Sequence, residues 1–180
     1  MTSERLAQIR KIEDEKAMGE LGIAPESFIW LGYDDGMLEY VPELELCEKV
    51  CKLIRKYRPD AVFSMDPGSD WMKWHKTAHR MSAFITLDAA RAAAYHLYFP
   101  YHRISEGLQP YTVTDYFFYN SDETNYKVDI SDVSEKKIRA RFWYVSQFGA
   151  GNFKYVGPEP DEERLTKQLL KLENIKDTVL

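Results

Sequence analysis

Two short apolar runs constrain this chain most. Phe28-Ile29-Trp30-Leu31 leads into Gly32-Tyr33-Asp34-Asp35-Gly36, and Ala61-Val62-Phe63-Ser64-Met65 leads into Asp66-Pro67. Continuous apolar runs of this length, closed by turn residues, suit strands buried on both faces. Helical patterns surround them. Ser3 to Leu21 reads as a charged amphipathic helix with Leu6, Ile9, Ile12 and Met18 on its apolar side and Gly22 just past its end. Pro42 suits a first helical position, and the helix it opens runs to about Tyr57, where Arg58-Pro59-Asp60 stops it. An alanine-rich helix follows from about Thr77 to Leu97. Tyr111–Tyr119 and Tyr126–Ile130 read as further strands. Ser131 or Asp132 caps a helix to about Phe148, and a charged helix spans Asp161 to Leu172. Helices alternating with short apolar strands predict an α/β fold, a layered sandwich around a mainly parallel sheet.

Composition narrows the function. At 180 residues, one domain spanning 1–180 is the expectation. The formal net charge is −5, so the chain lacks the basic stripe of a nucleic-acid binder. No apolar run is long enough to span a bilayer. Met1-Thr2-Ser3-Glu4-Arg5 has no apolar signal region, so a cytoplasmic location is the default. Cys47 and Cys51 share a helix face with Val50 and Ile54, and a C-x-x-x-C pair with no second ligand pair reads as core thiols.

In open α/β sheets, ligands collect beyond the carboxyl ends of the strands. Those ends carry Tyr33-Asp34-Asp35 and the stretch from Asp66 to His79. Within the latter, His75 and His79 stand four apart where a helix begins, so both fall on one face. Two such imidazoles can hold one metal ion, or one can hold metal while the other supplies a proton. A helix start with two satisfied histidines is the plainer alternative.

The motifs then form a series: Arg10-x-x-Glu13, Leu31-Gly32-Tyr33-Asp34-Asp35-Gly36, Arg58-Pro59-Asp60-Ala61-Val62-Phe63, Asp66-Pro67, His79-Arg80, Leu87-Asp88-Ala89-Ala90-Arg91, Val128-Asp129-Ile130 and Ser146-Gln147. In order and spacing, this series resembles the LmbE-like (PIG-L) family of zinc-dependent de-N-acetylases. The resemblance covers about Leu6 to Gly149. It implies a Rossmann-like three-layer fold, a zinc cofactor, and hydrolysis of an N-acetyl group on an N-acetylglucosamine-type amino sugar. It implies a metal-ligand role for His79, an oxyanion-stabilising catalytic role for His75, and substrate-binding roles for Arg10 and Asp35. In such chemistry zinc polarises the carbonyl and acidifies its bound water, a carboxylate takes the proton, and an imidazolium meets the oxyanion.

Three departures stand out. Lys76-Thr77-Ala78 separates His75 from His79 by one residue more than the family's H-P-D-H motif allows. Tyr144 stands two residues before Ser146, where relatives often carry His. The A-H-P-D-D motif, which supplies a His and an Asp ligand and the general base in the family, occurs nowhere in the sequence. The family's first strand lies between those matching Phe28–Leu31 and Ala61–Met65. In its absence the two must pair directly or leave ladder groups unmatched. The expectation is an N-terminally incomplete family domain, whether a fragment of a longer protein, a chain completed by another chain or a homo-oligomer, or a reduced relative that has lost catalysis. A non-catalytic sugar-binding or assembly module of the same fold is the alternative, with Trp71, Trp74, Tyr98 and Tyr101 as stacking groups. A different metal hydrolase on His75, His79 and Asp35 or Asp66 is a third.

Overall fold

The computed structural model describes residues 2–68 and 77–148. The expected helix over 161–172, together with His75, Trp71 and Trp74, lies outside the described residues. The chain divides into two compact units, Met1–Trp30 with Val128–Leu180, and Leu31–Lys127.

In the first unit, helix α1 spans Ser3–Glu20, and the Thr2 side chain accepts the Arg5 N–H at 3.3 Å to cap it. Past its end Gly22 adopts φ +81°, a conformation glycine reaches without a Cβ penalty. The apolar stripe expected on this helix is not what it buries. Glu13 and Ala17 are buried, and Ile12 is 48% exposed. A carboxylate can take the inward position because donors from the far end of the unit meet it. Those donors come from a second helical region, broken where one helix to Phe148 was expected. A 3₁₀ turn at Ser131–Val133 leads into α5, Ser134–Phe142, and a short α6 follows at Val145–Phe148. The start is set by Asp129 rather than by Ser131 or Asp132. Its Oδ1 accepts the Ser131 N–H at 2.9 Å and the Ser131 hydroxyl at 2.6 Å, which holds its carboxyl below the usual range.

Neither Phe28–Leu31 nor Tyr126–Ile130 is a strand. Phe28 has extended dihedrals (φ −90°, ψ 131°), but no ladder partner pairs with this run among the described residues. Ile29 and Trp30 are each 45% exposed, and Tyr126 and Val128 are also exposed. Extended conformation is a local property, whereas a strand needs a neighbour's donors and acceptors.

The second unit carries the sheet. Strands β1, Ala61–Met65, and β2, Asp115–Tyr119, pair in parallel from Ala61 opposite Asp115 to Met65 opposite Tyr119. β2 is the shorter, C-terminal part of the strand expected over 111–119. The Asp60 carbonyl accepts the N–H groups of Thr114 and Asp115, at 3.2 and 3.0 Å, and the Thr114 hydroxyl at 2.9 Å. This clamp fixes the register.

Helices α2, Glu43–Tyr57, and α3, Thr77–Ala94, build the core against this sheet. Cys51 and Ile54 pack on Ala89, Ala90, Ala92, Ala93 and Val113, with Cys47, Val50 and Val62 around them. Alanines let the two helix axes approach closely. Leu46, Met81 and Ile85 continue the same interface toward the other end. Arg58 closes α2 in a left-handed conformation (φ 50°) before Pro59. Both cysteines are free, as core thiols. Burial pushes the Cys51 thiol up to about 11 and raises that of Cys47.

One buried charge ties these parts together. Arg55 on α2 donates to the carbonyls of Ala92 (3.1 Å), Ala93 (3.2 Å), Tyr95 (2.8 Å), Tyr98 (2.9 Å) and Phe99 (3.3 Å). These carbonyls belong to the end of α3 and the turn after it, and α3 stops at Ala94 rather than near Leu97. The guanidinium satisfies the carbonyls that a helix end leaves unmatched. Arg55 Nη1 also lies 3.3 Å from Nδ1 of His102, on a short helix α4, Tyr101–Glu106, that the sequence pattern did not reveal.

His102 is buried, and desolvation together with the Arg55 charge lowers its pKa from 6.5. The unfolded state therefore protonates at higher pH than the folded state. Stability present above the unfolded value is lost as pH falls below it toward the depressed folded value. The urea midpoint should drop between about pH 7.5 and about pH 5.5. In His102→Asn, which keeps an acceptor for Arg55 but cannot titrate, that drop should shrink. An unchanged slope would place the acid sensitivity elsewhere. Thiol labelling offers a second check. At about pH 8, Cys51 should react with a disulfide reagent only on unfolding, since its thiolate is scarce and shielded. Rapid labelling of Cys51 in Cys47→Ala would contradict this packing.

Candidate functional site

In the second unit, the acidic turn after Leu31 is held from both sides. The Tyr33 hydroxyl donates to Glu45 Oε1 at 2.7 Å, and Lys49 Nζ donates to the same oxygen at 3.0 Å while lying 4.4 Å from the Tyr33 ring centre. These bonds anchor the loop to α2. Met37 N–H closes onto the Asp34 carbonyl at 3.2 Å, and Gly36 takes φ +77°, the left-handed geometry of an Asp-Gly turn. On the other side the Thr77 hydroxyl donates to the Gly36 carbonyl at 3.4 Å, and Arg80 Nη2 bonds Glu39 Oε2 at 3.1 Å. The turn bearing Asp35 is thus latched at two points to the first turn of α3, which bears His79. Asp35 and His79 are both exposed. Asp35 and His79 thus lie on two segments joined by the Gly36–Thr77 and Glu39–Arg80 bonds.

Asp66 shapes the exit from β1. Its N–H donates to the Tyr119 carbonyl at 2.9 Å, extending the ladder, and its Oδ1 accepts the Gly68 N–H at 2.8 Å. His75 lies outside the described residues. Among the described residues, no group of three or more His, Cys, Asp or Glu side chains is arranged to hold a metal ion. A lone imidazole such as that of His79 could supply one ligand, whereas a catalytic zinc site uses three protein ligands.

In the first unit, Arg10 belongs to a cluster along α1. Glu13 is 1% exposed. Its Oε1 accepts the Ser146 N–H at 2.7 Å, and its Oε2 accepts the Ser146 hydroxyl at 2.6 Å. Arg10 Nε stands 3.8 Å from Glu13 Oε2 and is buried without a hydrogen-bond partner. Beside it the Tyr144 hydroxyl donates to Asp14, and Trp143 Nε1 donates to Glu20 Oε1 at 3.1 Å. Burial and the neighbouring Asp14 carboxylate raise the Tyr144 pKa. Lys16 Nζ sits 4.6 Å over the Trp143 ring. Acidic residues of α1 thus clasp the segment Trp143–Ser146. Tyr144 is part of this clasp.

Spacing suggested the Arg10–Glu13 pair, and the structure contains it. It did not reveal that Glu13 is the buried receptor of Ser146. One signal was available: Glu13 lies between Ile9 and Ala17 at intervals of four, on the inward face.

The family profile described as PIG-L, GlcNAc-PI de-N-acetylase, matches residues 1–90, half of the chain. This chain belongs to the PIG-L family. Among relatives, the diacetylchitobiose deacetylase of Thermococcus kodakarensis is 32% identical over 144 residues, covering 78% of this chain and 50% of that protein. The N,N′-diacetylchitobiose deacetylase of Pyrococcus horikoshii, solved with an inhibitor, superposes with a TM-score of 0.72 at 28% identity, covering 84% of this chain and 54% of the other. A conserved protein of Thermus thermophilus gives a TM-score of 0.58 at 25% identity, over 80% of this chain and 60% of that structure. The chain therefore spans about half the length of the curated relative it matches. Its mixed α/β architecture with a small parallel sheet is that of the PIG-L deacetylases. No helix among the described residues is long and apolar enough to cross a membrane.

The clasp makes a stability prediction for this PIG-L member. Glu13→Ala leaves two Ser146 donors buried without an acceptor and should cost roughly 2–4 kcal/mol of unfolding free energy, at about 1–3 kcal/mol per orphaned group with partial relaxation. Tyr144→Phe, which strands no donor, should cost less, about 1 kcal/mol. Urea denaturation gives both values, and equal losses would argue against Glu13 as the principal anchor.

Proposed function

We propose that this chain carries the substrate-facing part of a zinc-dependent de-N-acetylase that removes the acetyl group from an N-acetylglucosamine-type amino sugar. The observation that supports the reading is the pair of hydrogen bonds, Thr77 to Gly36 and Arg80 to Glu39, that ties the segment of Asp35, read here as sugar-binding, to the helix start of His79, read here as a zinc ligand. Family membership and the diacetylchitobiose deacetylase relatives support the substrate class. In this reading His79 is a zinc ligand, His75 stabilises the oxyanion, and Arg10 and Asp35 bind the sugar. The ligand shortfall among the described residues means that zinc needs donors beyond His79. We propose that they come from a companion segment or a second chain that completes the domain. Two free thiols fit a cytoplasmic protein.

Each of these side chains brings a distinct capacity. The carboxylate of Asp35 accepts hydrogen bonds from sugar hydroxyls, and the Arg10 guanidinium donates to substrate oxygens. The imidazole of His79 offers a nitrogen lone pair when neutral. A second reading, a sugar-binding module without catalysis, is favoured by the same absence of a three-ligand cluster among the described residues.

Acetate release from N,N′-diacetylchitobiose, with zinc supplied, tests the reading. His79→Ala should lower both bound zinc and acetate release by roughly 10–100-fold or more, the range seen when metal-site partners are removed. Asp35→Ala should weaken sugar binding while leaving zinc content unchanged. Saturable sugar binding with neither zinc nor acetate release would establish the module instead.

A further inference from the structure

The buried carboxylate of Glu13 is more elaborately held than a helix-surface pair requires. Both of its oxygens are taken by one residue, Ser146, through the backbone N–H at 2.7 Å and the hydroxyl at 2.6 Å. Such two-point binding fixes the plane of the carboxylate as well as its position. The hydroxyl-bonded oxygen, Oε2, is also the one that stands 3.8 Å from Arg10 Nε. Arg10 Nε is itself buried and has no hydrogen-bond partner, although 29% of the side chain is exposed. The cation is thus held by its inner nitrogen's charge contact while part of it reaches solvent.

We propose that Ser146 and Glu13 are positioning residues for Arg10. The Ser146 hydroxyl sets Glu13 Oε2, and Oε2 sets the guanidinium so that its outer N–H groups face a substrate oxygen. The inference rests on the reading of Arg10 as a sugar-binding residue and adds the pair that orients it. The physical reason is entropic. A free arginine side chain loses rotamer freedom on docking, so a guanidinium already restrained by a buried carboxylate binds its ligand with less to lose. An unclasped Glu13 would instead be a flexible buried charge and could not supply that restraint. Asp14, next to Glu13, and Tyr144, two residues before Ser146, hold the two segments together through their own hydrogen bond, and the Arg10 charge also acts on the Tyr144 phenol.

The experiment separates positioning from sugar recognition. Nitrogen-15 NMR of the full chain, with the Arg10 Nε–Hε signal assigned by its loss in Arg10→Lys, reads the order of that side chain directly. The wild type should show an ordered Nε–Hε. Ser146→Ala retains the backbone bond to Glu13 and hence the fold, but the Arg10 signal should become motionally averaged. Ser146→Thr, which keeps the hydroxyl, should restore order. Glu13→Gln, which removes the charge, is the second variant and should also release Arg10. In parallel, the Kd for N,N′-diacetylchitobiose should rise roughly tenfold in Ser146→Ala, the scale of a charge-assisted hydrogen bond, and return in Ser146→Thr. If Arg10 keeps its order in both Ser146→Ala and Glu13→Gln, or is already averaged in the wild type, the positioning role is overturned. If its order depends on Ser146 but the wild type does not bind the disaccharide, positioning holds and the sugar-binding reading of Arg10 fails.

Discussion

A buried charge is tolerated only when nearly every polar atom around it is matched, because desolvating an ion costs several kcal/mol. Among the described residues the chain buries one such side chain in each of its two units, Glu13 in the first and Arg55 in the second. Much of the architecture is arranged to satisfy them. Arg55 gathers the last carbonyls of α3 and the turn behind it, which ends that helix and seats α4. Glu13 gathers Ser146 of α6 through its N–H and hydroxyl, which brings a segment more than a hundred positions away in sequence onto α1. Among the described residues neither unit has a large apolar core to do this alone, since the sheet has two strands and the interface of α2 with α3 is dense in alanine.

The proposed site around Asp35 and His79 depends on the same matching of polar groups. Asp35 sits on a turn whose neighbours are tied to α2 by Tyr33 and Lys49 and to α3 by Thr77 and Arg80. These are polar links on an exposed surface, each modest by itself. Their number fixes the turn while leaving the Asp35 carboxylate and the His79 imidazole open to a ligand. A rigid support around exposed polar groups is what a sugar site needs, because sugar recognition uses many directional hydrogen bonds. Arg10 follows the same logic in the other unit, restrained on its inner side and accessible beyond it.

Tyr144 reinforces the closure of the first unit. Its phenol donates to Asp14, next to the Glu13–Ser146 pair, and its raised pKa keeps it a donor through the neutral range.

Periodicity and punctuation alone determined the helices at 3–20, 43–57 and 77–94, the last with an overrun to Leu97, the strand at 61–65, the stop at Arg58-Pro59 and the inward thiols. Ordered motifs alone led to the PIG-L family and to Arg10, Asp35 and His79. These signals are local: helix caps, turn residues and the spacing of apolar side chains act within a few positions. Tertiary structure decided the rest. It left Phe28–Leu31 and Tyr126–Ile130 without ladder partners among the described residues, although their composition favours strands, because pairing depends on a neighbour. It ended α3 at Ala94 through a guanidinium from another helix. It turned Glu13 from a surface charge into a buried anchor, because only the folded chain brings the donors of Ser146 within 2.7 Å of it. Long-range pairing of this kind has no spacing rule, since its partners meet through the packing of whole elements.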